Sequence, residues 1–130
     1  MAASVQYFED NPGIIHMILE GEWTVEEWVL CSYEAWNLIE QRNTDVSLLV
    51  EYRSHPSYHP PALFANLNYI GGSPLIQDRR IQRVIVVGED GILHTASEVF
   101  RRVYRLKRVV VADNFEQARG LLQHVKFSRV

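Results

Sequence analysis

The segment EYRSHPSYHPPALF, residues 51–64, gathers two histidines, two serines, two tyrosines and three prolines behind the apolar run VSLLV. Such a set could ligate a metal, accept a phosphoryl group, line a ligand or partner surface, or serve as a stiff connector. Zinc enzymes place two histidines four residues apart on one helix face, and His55 and His59 have that spacing. Pro56 and Pro60, however, push the residue before each of them to an extended backbone. At about 3.3 Å per residue the two rings then stand on the order of 13 Å apart, unless a turn at Ser57–Tyr58 folds them together. Residues 53–60 offer no Cys or Glu as a further ligand, and no spacing singles out His16, His94 or His124. No metal and no cofactor are expected.

Nucleophilic catalysis finds little more. There is no G-x-S-x-G elbow, and the glycine pairs in GGSP and GEDG match no phosphate or dinucleotide fingerprint. Cys31 falls inside a helical pattern, where a small buried thiol is the ordinary role. No catalytic residue is therefore assigned. Tyr52, Arg53, Ser54, His55, Ser57, Tyr58 and His59 are the candidate ligand- or partner-binding residues. They follow the carboxyl end of a strand, where open α/β sheets bind their ligands, and the prolines lower the entropy cost of holding one loop shape.

The elements that must position this stretch follow from periodicity. VQYFE (5–9) and IIHMILE (14–20) read as strands joined by a turn at NPG (11–13). TVEE (24–27) is a capping box that opens a helix running to about Gln41, with Val25, Trp28, Val29, Trp36 and Ile39 on its apolar face. VSLLVEY (46–52), RVIVVG (83–88) and RVVVAD (108–113) are apolar runs suited to strands covered on both faces. PALFANLNYI (61–70) reads as a short helix broken at GGSP (71–74). TASE (95–98) opens another helix, whose cations Arg101, Arg102 and Arg105 form a solvated face. Asp113 or Asn114 caps a last helix bearing Phe115, Ala118, Leu121, Leu122 and Val125. The order β-β-α-β-α-β-α-β-α predicts one α/β domain: a mixed, largely parallel five-stranded sheet with about four helices.

This order resembles the STAS domain, and more closely its SpoIIAA-like branch, which is itself related to CRAL-TRIO-type folds. The resemblance covers roughly residues 5–125. It rests on the hairpin, on LEGEWTVEEW with its G-x-x-T-x-E-E step at 21–27, on the long helix, on VSLLVEY and on the short βα units. It implies a non-enzymatic interaction or regulatory module. Anti-sigma-factor antagonists of this family carry a phosphorylatable serine where the helix after the central strand begins. Ser54 and Ser57 are the nearest positions, although neither follows an Asp and Pro60 and Pro61 precede the next helix. The CRAL-TRIO relation implies an alternative, a carrier or sensor of a small apolar ligand with a pocket beneath 61–70, and an enzyme stands third because fold alone does not set function.

Composition narrows the partners. A net charge of −3 gives no broad positive field for nucleic acid. No apolar stretch nears the roughly 20 residues that span a bilayer, so no stable membrane insertion is expected. One cysteine in 130 residues fits a reducing, cytoplasmic setting. A protein partner or a small apolar ligand remains, with homo-oligomerisation left open. Trp28 and Trp36 are in register with the core face, and Trp23 precedes the capping threonine; an exposed Trp23 would mark a contact surface.

Overall fold

The computed structural model describes residues 3–9, 11–53, 73–88, 98 and 109–127. They form a five-stranded sheet in the order β1-β2-β3-β4-β5, with β1 Ala3–Phe8, β2 Asn11–Glu20, β3 Val46–Arg53, β4 Ile81–Val87 and β5 Val109–Ala112. The β1–β2 pair is antiparallel, and β2 through β5 run parallel. Three helices are described: α1 Val25–Arg42, α2 Pro74–Gln77 and α3 Phe115–Phe127. The α/β class and the mixed, largely parallel five-stranded sheet agree with the sequence reading. The expected helix at 61–70 lies outside the described residues, and so does the helix opened by TASE (95–98), except for Glu98, which is helical. None of the described helices is long and apolar enough to cross a membrane.

Strand alternation divides the core in two. Ile15, Met17 and Leu19 of β2, Val46, Leu48 and Val50 of β3, and Val84 and Val86 of β4 share a cluster with Trp28, Cys31, Ala35 and Ile39 of α1 and Leu75 of α2. The intervening Ile14, Leu49, Ile85, Val87 and Ala112 join Ala118 and Leu122 of α3 on the other face. Both faces of the parallel strands are covered, so their sequences are apolar at successive positions rather than at every second one.

Three local readings shift. The hairpin reverses before Pro12 rather than at NPG: Phe8 pairs with Asn11, and Glu9 has φ 48°. Pro12 sits at the start of β2, ahead of Ile14, where pairing with β3 begins, so its missing N–H breaks no ladder bond there. GGSP does not end in a mere break, because Ser73 caps α2 by accepting from the Ile76 N–H and Pro74 takes the first turn. On α1 the buried stripe is Trp28, Cys31, Ser32, Ala35 and Ile39, with Val25, Val29 and Trp36 at its margin. Small residues in the middle of that stripe let the helix approach the sheet closely, which periodicity of large apolar residues alone does not reveal.

The expected cap is present in full. Thr24 Oγ1 accepts from the Glu27 N–H at 3.1 Å, and Glu27 Oε1 accepts from the Thr24 N–H at 3.2 Å. The helix ends at Asn43 in the left-handed region, its N–H donating to the Ile39 carbonyl. In α3, Asn114 Oδ1 accepts from the Gln117 N–H while Gln117 Oε1 takes the Asp113 N–H. Gly21, with φ +57°, supplies the backbone turn that closes β2.

At the amino ends of β3 and β4 a polar clamp fixes α1 to the sheet. Asp78 accepts from the Trp36 indole N–H at 3.1 Å and from Arg80 Nε and Nη2 at 3.0 and 2.7 Å. Arg80 also donates to Glu40 and to Asn43 Oδ1 near the end of α1. The Arg80 guanidinium beside Asp78 holds that carboxyl below its ordinary range.

Candidate functional site

At the opposite, carboxyl end of the parallel strands, four polar side chains line one face of β2 and β3. They are His16 and Glu20 on β2 and Glu51 and Arg53 on β3. Their even spacing along each strand puts both pairs on the α3 side of the sheet. Ile18 lies opposite Glu51 and Glu20 opposite Arg53, so His16 meets Glu51 along a diagonal.

The ring of His16 is buried, 4 % exposed. Its Nε2 lies 2.8 Å from Glu51 Oε1. Phe8 meets the ring edge-on at a centroid distance of 5.5 Å, and Phe115 stands at 6.4 Å. Arg53 grips the same carboxylate with Nε on Oε2 at 2.7 Å and Nη2 on Oε1 at 3.1 Å, and reaches Glu20 Oε1 with Nη1 at 3.2 Å. Beyond the aromatic pair, Arg119 lies over the Phe8 and Phe115 rings and pairs with Glu9.

The electrostatics follow from this packing. Burial lowers the His16 pKa, and the hydrogen bond and charge of Glu51 only partly offset it. For Glu51 burial pushes upward, but the hydrogen bonds and charges of Arg53 and His16 outweigh it and hold the carboxyl below its usual value. An ionised Glu51 accepts only, so in neutral His16 the Nε2 nitrogen carries the proton and Nδ1 is bare.

Of the sequence candidates, Tyr52 and Arg53 are placed, and they point to opposite faces. Arg53 joins the polar row. Tyr52 packs on the α1 side, with Trp23 edge-on to it at 6.3 Å. Trp23 is itself buried, so it is core and not an exposed contact. Cys31 is also buried, its Sγ donating to the Ser4 carbonyl at 3.4 Å, and burial pushes its thiol up to about 12. Ser54, His55, Ser57, Tyr58 and His59 lie outside the described residues, as do the segment 61–70 with its expected pocket and the basic run 101–108. Among the described residues no three His, Cys, Asp or Glu side chains are grouped to hold a metal ion.

The sequence reading missed His16, Glu20 and Glu51 as one constellation. A signal was available: IIHMILE and VSLLVEY each carry a polar residue where both faces of a strand are covered, and a buried polar group needs a partner. No protein-family model matches this chain, and neither a curated protein nor a solved structure matches it.

Proposed function

We propose that the chain is a non-enzymatic, STAS-like interaction module that meets a protein partner through the carboxyl ends of β2 and β3. The observation that carries this reading is the Glu20–Arg53 pair. Each is the last residue of its strand, and their side chains are 53 % and 46 % exposed. They present a carboxylate and a guanidinium side by side where open α/β sheets bind. Arg53 is held from behind by Glu51, and Glu51 by His16. A charge pair anchored in this way is set before contact and costs little ordering on binding. Paired charges of opposite sign also favour a partner with the complementary pattern and reject one with like charges opposed.

The test is quantitative affinity capture with the full chain from its source cells. Wild type is compared with Glu20→Ala/Arg53→Ala and with Glu34→Ala on the exposed side of α1. A protein retained by wild type and by Glu34→Ala but lost from the double variant supports the reading. Equal retention by all three contradicts it.

A further inference from the structure

We propose that His16, Glu51 and Arg53 form a proton-linked relay, in which proton uptake at His16 Nδ1 draws Glu51 Oε1 to the ring and loosens Arg53. The relay goes beyond the binding role above, because it rests on contacts inside the domain and needs no partner. Its basis is that one oxygen, Glu51 Oε1, takes both His16 Nε2 at 2.8 Å and Arg53 Nη2 at 3.1 Å. With His16 neutral, Arg53 is the only cation on that carboxylate among the described side chains. An imidazolium would make a charge-assisted bond to the same oxygen. It would also set two like charges on one acceptor, where each weakens the other's hold.

The surroundings favour the exchange. Among the described residues, the charged groups in contact with the ring or with its neighbours are Glu51 and Arg53 of β3, Glu20 of β2, Glu9 at the end of β1 and Arg119 of α3. Glu116, in the first turn of α3, is exposed. Glu9 and Arg119 pair with each other behind Phe8 and Phe115. Glu9, Glu20 and Glu51 thus stand against Arg53 and Arg119, so an added positive charge on His16 balances the group. Arg53 can yield because its side chain reaches solvent and Glu20 remains as an alternative acceptor. Protonation of a buried ring is thereby read at the surface by the guanidinium.

Nuclear magnetic resonance of the labelled full chain tests this. The His16 Cε1–H and Arg53 Nε–H signals are followed from pH 8 to pH 4.5. The relay predicts that both move through one shared midpoint. Because linkage is reciprocal, Arg53→Gln, a change at a half-exposed side chain, is expected to shift the His16 midpoint upward. An Arg53 signal that stays flat while His16 titrates overturns the relay, and so does a His16 midpoint that is the same in Arg53→Gln.

Discussion

His16 and Glu51, 35 positions apart in the chain, are joined by a 2.8 Å contact across β2 and β3. The diagonal is possible because the parallel register sets Ile18, two residues beyond His16 on the same face, opposite Glu51. This contact turns two polar residues in otherwise apolar strands into one satisfied pair, and several measurable properties follow from it.

Stability should depend on pH through His16. Its folded pKa lies below the ordinary 6.5 because the ring is buried. The unfolded chain therefore binds a proton at higher pH than the folded chain does. The contribution is full above about pH 6.5 and is lost as pH falls from there toward the folded value. Urea midpoints at pH 7.5 and 5.5 should differ more for wild type than for His16→Gln. Equal differences would show that His16 is not held neutral by burial.

Removing only one partner of the pair should cost more than removing both. Glu51→Leu leaves the His16 N–H without its acceptor and is expected to destabilise by about 1–3 kcal/mol. His16→Leu/Glu51→Leu places two apolar side chains on a face that already holds Ile14, Leu49 and Ile85, and should recover much of that loss. Chemical denaturation of the wild type, Glu51→Leu, His16→Leu and the double variant measures it; additive losses would contradict the coupling.

The capping box gives a third test. Thr24→Ala removes the acceptor of the Glu27 N–H and should destabilise by about 0.5–2 kcal/mol. Thr24→Ser, which keeps the oxygen, should lie close to wild type. An unchanged unfolding midpoint in Thr24→Ala would mean that the cap does not hold α1 in place.

Cys31 should be inert while the chain is folded. Burial pushes its thiol up to about 12, which leaves almost no thiolate at pH 8. A chromogenic disulfide reagent at pH 8 should react slowly with native protein and at once in denaturant. Rapid reaction of the native chain would contradict the buried position beneath Ser4.

The sequence disclosed the sheet better than the site. Runs such as VSLLV and RVIVV specify strands covered on both faces, and Thr24 with Glu27 marks the start of α1 to the residue. The apolar stripe of α1 was only half legible, since Cys31, Ser32 and Ala35 are small and carry a weak periodic signal. Arg53 is legible because it flanks the conspicuous sequence SHPSYHPP. His16 was hidden because its partner depends on strand register, which no local pattern specifies; the one-residue difference between Tyr52 and Arg53 sends them to opposite faces.

The role of the carboxyl ends of β2 and β3 is tested most directly by hydrogen exchange on the full chain, alone and with the captured partner at saturation. The account predicts slowed exchange at the last residues of β2 and β3, around Glu20 and Arg53, and little change along α1. Protection confined to α1, with exchange at Glu20 and Arg53 unaltered, would contradict it.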